Sequence, residues 1–228
     1  MVLSESISAS PMGYSPRSNQ FFWITWLSPY LSRDRHCLMY LHQKINCQTP
    51  KSSADFSSWI EEHSRLVNEV SSKYQDEGGT VTVEDENSFK DNSKTGICLS
   101  GKCDVVVGED RLDADAGLVI DVKTGAKKPK DRTQVMLYMA LLPSVADIPH
   151  ITHTPVGIVQ YKDGSTHEID PGEITPEFKK QVGSLLSLAS GPIPEATPSF
   201  QECRFCDLKD DCPSAKNTAP STNDVDWL

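Results

Sequence analysis

The segment 117–123, GLVIDVK, constrains the fold of this chain more than any other, because it combines an apolar strand pattern with two charges. Side chains alternate between the two faces of a β-strand, so the apolar residues at 118, 120 and 122 are expected on one face. Asp121 and Lys123 are then expected together on the opposite face. The segment therefore predicts a strand that holds an acid and a base side by side.

The rest of the chain predicts a mixed α/β (α+β) fold around this strand. Helical periodicity follows Ser28-Pro29, and a second apolar stripe contains Trp59, Ile60 and His63, which are therefore expected to be buried. Strand-like runs cover 80–83, 97–107, 117–123 and 155–161, and further helices are predicted over 131–142 and 176–188. This order predicts a mixed central sheet flanked by helices.

Asp104 provides a second carboxylate near this strand. It opens an apolar run that is expected to pair with the strand at 117–123, which would bring Asp104 close to Asp121. Two neighbouring carboxylates repel each other unless a hard cation lies between them, and Mg²⁺ prefers oxygen ligands. The pattern predicts a Mg²⁺ or Mn²⁺ site of the nuclease type, in which Lys123 orients the nucleophile or stabilises the developing oxyanion.

A solvated surface ion pair is the simpler interpretation of Asp121 and Lys123 taken alone. Gln134 and Tyr138 favour the site, because residues at i and i+4 of a helix point to the same side. There an amide and a phenol could orient Lys123 or a phosphate. For that pair a surface glutamine and a core-rim tyrosine remain an equally good interpretation.

The cysteines form a second constellation near the C-terminus. Cys203, Cys206 and Cys212 have the spacing C-x2-C-x5-C, which is compact enough for three thiolates to reach one inorganic centre. A fourth ligand is missing locally, and Cys37 is the preferred candidate, with Cys47 in reserve. A 4Fe-4S cluster, a structural Zn²⁺ site and unconnected buried thiols are the three interpretations.

The charge of the chain limits how it can bind nucleic acid. Lysine and arginine number 22 against 32 aspartates and glutamates, which gives a net charge of -10 and argues against binding through bulk positive charge. A local basic run follows the strand at 117–123 and predicts phosphate contacts. Its cations after Lys123 are Lys127, Lys128, Lys130 and Arg132.

The motif series resembles the RecB-like branch of the PD-(D/E)XK nucleases over roughly residues 28–213. The resemblance is carried by His63, by Asp104 in GKCD, by Asp121 and Lys123 in IDVKTG, and by Gln134 and Tyr138 in QVMLY. It implies a restriction-endonuclease-like core in which His63, Asp104 and Asp121 bind the divalent metal. Lys123 would activate water, and Gln134 and Tyr138 would face the active site.

The cysteine pattern is similar to the iron-sulfur subgroup of these nucleases, and the chain is most similar to the CRISPR-associated adaptation exonucleases. The resemblance implies a 4Fe-4S cluster held by one upstream cysteine and three C-terminal ones, which would join the N-terminal helix to the C-terminal segment as a cap. The corresponding residues here are Cys37, Cys203, Cys206 and Cys212.

Together these observations predict one nuclease domain at 21–213 between a flexible leader, 1–20, and a flexible tail, 214–228. The expected function is cleavage of DNA at single strands or strand ends, as an exonuclease in CRISPR spacer acquisition or in recombination and repair. Integrase or helicase proteins are the expected partners. The alternative is a DNA-binding or assembly subunit with weak or no cleavage. The absence of a secretory signal and of a membrane span predicts a cytoplasmic protein.

Overall fold

The structure is a computed structural model, and it describes residues 10–49, 57–92, 98–110, 116–145, 148 and 150–218. Six helices and eight strands are assigned within these ranges. The helices are α1 (Ile24–Leu31), α2 (Leu38–Asn46), α3 (Ser57–Asp76), α4 (Pro129–Leu141), α5 (Pro176–Ser190) and α6 (Phe200–Arg204). The strands are β1 (Phe21–Trp23), β2 (Val81–Val83), β3 (Ser88–Asn92), β4 (Cys98–Lys102), β5 (Val105–Val107), β6 (Leu118–Lys123), β7 (Val156–Tyr161) and β8 (Thr166–Ile169).

The strands form two sheets. The larger sheet has the order β2-β5-β6-β7-β8, in which only the central pair β6 and β7 is parallel. The smaller sheet has the order β1-β4-β3, with β1 parallel to β4. The predicted mixed sheet flanked by helices is therefore confirmed.

Strand β6 lies at the centre of the larger sheet and is followed by the crossover helix α4, which returns the chain to β7. Parallel neighbours need such a crossover, because a tight hairpin can join only antiparallel strands. Gly157 of β7 allows α4 to pack closely, since a Cβ atom there would lie 2.5 Å from Met139 Sδ and 2.6 Å from Val135 Cγ1. Because Gly157 has no side chain, α4 packs closer to the sheet at this point than any other residue would allow.

The two faces of β6 are divided as the sequence predicts. Leu118, Ile120 and Val122 belong to the apolar cluster that includes residues of α3, whereas Val119 belongs to the cluster that includes α4. Asp121 and Lys123 share the face of Val119 because strand side chains alternate. The acid and the base of β6 therefore lie on the side of the sheet that α4 covers.

Two local predictions differ from the structure. The helix expected to begin at Ser28 begins at Ile24 instead. It ends at Leu31, and Arg33, which has a φ of 62°, lies in the turn that separates it from α2. The single strand expected over 97–107 is divided into β4 and β5. The chain passes from the smaller sheet to the larger one at Cys103 and Asp104, and this break is the place from which Asp104 projects.

The expected burial of Trp59 and Ile60 is wrong, because these side chains are 50% and 53% exposed. The buried residues of α3 begin at His63. Trp59 and Ile60, in its first turn, line an open cleft instead of the core.

The described parts of the predicted leader and tail make specific contacts. Tyr14 donates a hydrogen bond of 2.6 Å to Asp211, and Gln20 donates one of 2.7 Å to the carbonyl of Ser190. The amide of Lys216 lies 3.3 Å from Cys203 Sγ. Residues 1–9 and 219–228 lie outside the described residues, and the domain boundaries stay a prediction. Within the described ranges, no helix is both long and apolar enough to cross a membrane.

Candidate active site

The predicted catalytic residues meet in one open cleft of about 620 Å³. Helix α3 contributes the imidazole, the break before β5 contributes one carboxylate, β6 contributes an acid and a base, and α4 contributes an amide and a phenol. The structure thus brings together all six side chains of the motif series: His63, Asp104, Asp121, Lys123, Gln134 and Tyr138.

Asp121 is the most constrained of these groups, since its residue is only 2% exposed. Its Oδ1 atom accepts a hydrogen bond of 2.8 Å from Gln134 Nε2. Its Oδ2 atom lies 2.5 Å from Lys123 Nζ in an ion pair, yet this buried oxygen accepts no hydrogen bond of good geometry. Burying a carboxylate is costly, and the ammonium group of Lys123 is the positive charge that compensates for this oxygen.

The pKa values of Asp121 and Lys123 are both raised above their usual values. Burial raises the pKa of Asp121 to about 7, against the attraction of Lys123 and with a further increase from the nearby charge of Asp104. Burial alone would lower the pKa of Lys123, but the charge of Asp121 outweighs it and raises that pKa above its usual value. Asp121 and Lys123 therefore both hold their protons tightly, which is the behaviour of a site with an excess of negative charge.

Asp104 and His63 form the other side of the site. Asp104 Oδ2 accepts a hydrogen bond of 2.7 Å from the amide of Val122 and lies 3.3 Å from His63 Nε2. The hydrogen bond with Asp104 raises the pKa of His63, although desolvation opposes this effect. The strand amide fixes one carboxylate oxygen of Asp104 next to the imidazole.

Gln134 connects the two halves of the D-x-K motif. Its Oε1 atom accepts a hydrogen bond of 3.2 Å from Lys123 Nζ, while its Nε2 atom donates to Asp121 and lies 3.4 Å from the Tyr138 hydroxyl. Tyr138 is 1% exposed and donates a hydrogen bond of 2.8 Å to the carbonyl of Lys102. The amide of Gln134 therefore contacts Tyr138 on one side and hydrogen-bonds to both charged side chains, Asp121 and Lys123, on the other.

Sequence reasoning missed several residues of the cleft. Glu84 Oε1 lies 3.8 Å from His63 Nδ1, and the backbone of Glu84 has a φ of 43°, in the left-handed region that is costly for a residue with a side chain. Its amide donates a hydrogen bond of 3.0 Å to the carbonyl of Asp104. Trp23 and Lys102 also line the cleft. Only the acidic run after β2 could have indicated Glu84.

The donor set fits a hard divalent cation. It contains carboxylate oxygens and an imidazole, and Asp121 Oδ2 is the buried oxygen that such a cation would satisfy. In the part of the chain that the structure describes, no three His, Cys, Asp or Glu side chains are grouped closely enough to hold a metal ion together. The ammonium group of Lys123 is instead the cation that lies beside Asp121.

The four cysteines predicted as cluster ligands line a second, smaller cavity. Cys37 is the residue before α2, and the other three, Cys203, Cys206 and Cys212, come from the C-terminal segment. All are free thiols. Cys47 lies elsewhere, at the end of α2, where it forms an isolated β-bridge with Pro16. The structure thus places the preferred fourth cysteine, and not the reserve candidate, in the cavity of the array.

Polar contacts also attach this C-terminal segment to α2. Glu202 Oε1 accepts hydrogen bonds from the amides of His36 and Cys37, at 2.6 and 3.0 Å. Burial alone would raise the pKa of Glu202, but these backbone amides and that of Ser199 lower it to about 2. Lys44 Nζ lies 2.8 Å from Asp207 Oδ2. The segment is therefore held beside Cys37 by charged groups as well.

The predicted DNA-binding cations occupy two environments. Lys127 pairs with Asp163 at 3.3 Å, and Arg132 pairs with Glu173, so the charges of both are partly neutralised. Lys128 and Lys130 line a groove that also contains Arg35 and the exposed ring of Phe205. Among the described residues, no ion pair is found for Lys128 or Lys130. The groove also contains the carboxylates of Asp34 and Glu202, and phosphate binding by the run stays a prediction.

Comparisons with known proteins identify the family. The family model described as the PD-(D/E)XK nuclease superfamily matches residues 33–213. Among solved structures, one described as "Crystal structure of SSO0001" is similar with a TM-score of 0.40 and 14% identity, over 95% of this chain and 98% of that chain. No curated protein matches this chain significantly. The matched region contains every residue of the cleft's motif series and all four cysteines of the second cavity.

Proposed function

Because the chain belongs to the PD-(D/E)XK nuclease superfamily, whose members are metal-dependent nucleases, we propose that it is a Mg²⁺- or Mn²⁺-dependent deoxyribonuclease. The observation that carries the proposal is the buried carboxylate of Asp121, which is paired with Lys123 at 2.5 Å and lies near a second carboxylate, Asp104, in an open cleft. A merely structural ion pair has no need of a cleft that a phosphodiester could enter.

Each residue has a defined part in this proposal. His63, Asp104 and Asp121 would hold the divalent cation, which supplies positive charge beside the phosphate and acidifies a water molecule. Lys123 is protonated, so it donates hydrogen bonds that orient the attacking water and stabilise the negative charge that develops on phosphate oxygens. Gln134 positions both Asp121 and Lys123. Tyr138, whose hydroxyl donates to the carbonyl of Lys102, accepts a hydrogen bond from Gln134 Nε2.

The finer assignment extends the same proposal. We propose that the enzyme is an exonuclease that acts on single strands or strand ends, in CRISPR spacer acquisition or in recombination and repair, with integrase or helicase proteins as partners. The resemblance of the motif series and of the cysteine pattern supports this assignment. A DNA-binding or assembly subunit is the alternative, and the complete set of Asp104, Asp121 and Lys123 favours the nuclease.

The 4Fe-4S cluster is a separate part of the proposal. Four free thiols line one cavity, and the backbone amides of Met39 and Tyr40 favour the thiolate of Cys37, although burial raises its pKa overall. Thiolates are the ligands of iron-sulfur clusters, and hydrogen bonds to sulfur tune them. Zn²⁺ is the alternative occupant, since it also accepts four thiolates.

We expect Lys123→Ala to lower Mg²⁺- or Mn²⁺-dependent cleavage of a labelled single-stranded DNA by about 100- to 1000-fold, because a charge-stabilising donor is lost from the transition state. DNA binding in EDTA should change little. Lys162→Ala is the matched control, since Lys162 is exposed and pairs with Glu62 at 3.8 Å outside the cleft. Equal cleavage by wild type and Lys123→Ala would contradict the proposed chemistry, and binding without cleavage by wild type would favour the assembly subunit.

Neutralising Lys128 and Lys130 together should weaken binding of all DNA sequences alike, because phosphate contacts carry no sequence information. The slope of log K against log salt should fall by about one for each phosphate contact that is lost. The control is the double alanine variant of Lys179 and Lys180, two exposed lysines of α5. An unchanged slope in the first variant would place the DNA on another surface.

Protein purified without oxygen should be brown and should contain about four iron atoms per chain with acid-labile sulfide. Cys37→Ser should lose the iron and make the C-terminal segment sensitive to protease, because the centre would join α2 to residues 203–212 across the nuclease core. Cys47→Ser should retain both properties. Colourless wild-type protein that contains one zinc per chain would contradict the cluster and leave the nuclease site untouched.

A further inference from the structure

One wall of the catalytic cleft is aromatic and apolar. Trp59 and Ile60, in the first turn of α3, line it and are 50% and 53% exposed. Large apolar side chains that remain exposed beside a reaction centre are a feature of ligand-binding surfaces. The feature is specific to this end of α3, since Leu66 and Val67 further along the helix are buried.

The ring of Trp59 has a fixed orientation next to the metal-binding side chains. It stacks on His63, with ring centroids 4.9 Å apart and an angle of 28° between the planes. His63 in turn lies 3.3 Å from Asp104. One face of the indole thus lies against His63, while the residue as a whole is half exposed and lines the cleft. A flat group that enters the cleft can stack on this ring without displacing a catalytic residue.

The charges of the cleft do not attract a polyanion. The described residues that line it include four carboxylates, Glu84, Asp85, Asp104 and Asp121, against the two ammonium groups of Lys102 and Lys123. Both lysines are already paired, Lys102 with Asp85 at 3.2 Å and Lys123 with Asp121 at 2.5 Å. Without a bound cation, the attraction of these side chains for phosphate is therefore weak, and a strand held here in the absence of metal needs another interaction.

Base stacking provides that interaction, because every nucleobase has an aromatic face and stacking on a side chain does not depend on charge. In a duplex these faces are covered by neighbouring base pairs, whereas an unpaired nucleotide presents them. We infer that Trp59 is the stacking platform for an unpaired nucleobase beside the scissile phosphate, and that it selects single-stranded nucleic acid. This inference rests on the proposed nuclease function and identifies the feature of the substrate that the cleft binds.

The test compares two ligands of equal charge in EDTA, where no cleavage occurs. One is a single-stranded dT homopolymer and the other is an abasic deoxyribose-phosphate strand of the same length. Wild type should bind the dT strand about 5- to 150-fold more tightly, the range expected for stacking of one base. Trp59→Ala should bind both strands equally, Trp59→Phe should retain most of the preference, and the duplex should bind no better than the abasic strand.

Leu188→Ala is the matched control, because Leu188 is 60% exposed on α5 and is outside the cleft lining. It should keep the wild-type preference for bases. A merely structural role of Trp59 in supporting His63 would lower cleavage but would not remove a preference for bases that is measured without metal. This comparison therefore distinguishes a role of Trp59 in stacking on a base from a role in packing against His63.

The results distinguish this inference from the nuclease proposal. A base preference that persists in Trp59→Ala, or wild-type protein that binds the dT and abasic strands equally, overturns the inference, and Lys123-dependent cleavage then still supports the nuclease. A preference that depends on Trp59, without any cleavage by wild type, overturns the nuclease and leaves a cleft that binds single strands. Equal binding of duplex and single strand also overturns the inference.

Discussion

A carboxylate buried in the central strand is the constraint on which the site depends. Removing the charge of Asp121 from water is costly unless partners compensate for it, and the structure surrounds it with an ammonium group, an amide and a second carboxylate. The second carboxylate increases the cost instead of lowering it. Because the fold keeps both acids in place, the site favours an added positive charge. A metal-dependent phosphodiesterase uses such a site to bind its cation.

The remaining architecture serves to hold this arrangement. Helix α4 lies close to the sheet because Gly157 has no side chain, and this closeness lets Gln134 reach both Asp121 and Lys123. The break between β4 and β5 lets the amide of Val122 bind Asp104. The C-terminal segment is attached to α2 through Glu202, at a distance from the cleft. The side chains of the cleft thus come from the larger sheet and its edge, from the crossover helix α4 and from α3, whereas the cysteine cavity is lined by Cys37 before α2 and by the C-terminal segment.

The sequence predicts the parts of this molecule that depend on local periodicity. Alternation in β6 placed Asp121 and Lys123 on one face, and the i, i+4 relation placed Gln134 and Tyr138 together, because both follow from backbone geometry alone. The parallel pairing of β1 with β4 is a non-local contact that no local pattern records. Trp59 continues the periodic stripe of α3 but lines the cleft, so the pattern predicted burial where the structure has an exposed ring.

Binding of Mn²⁺ by the intact protein, followed through the electron paramagnetic resonance signal of the free ion, tests the central claim most directly. We expect one tightly bound Mn²⁺ per chain that is lost in Asp121→Asn, a variant of nearly equal size that removes the charge and replaces one acceptor oxygen by an NH2 group. Asp85→Asn, in the same cleft but with an exposed side chain, should bind Mn²⁺ as wild type does. Equal binding by wild type and Asp121→Asn would contradict the account, because the buried oxygen would then have no part in holding the metal.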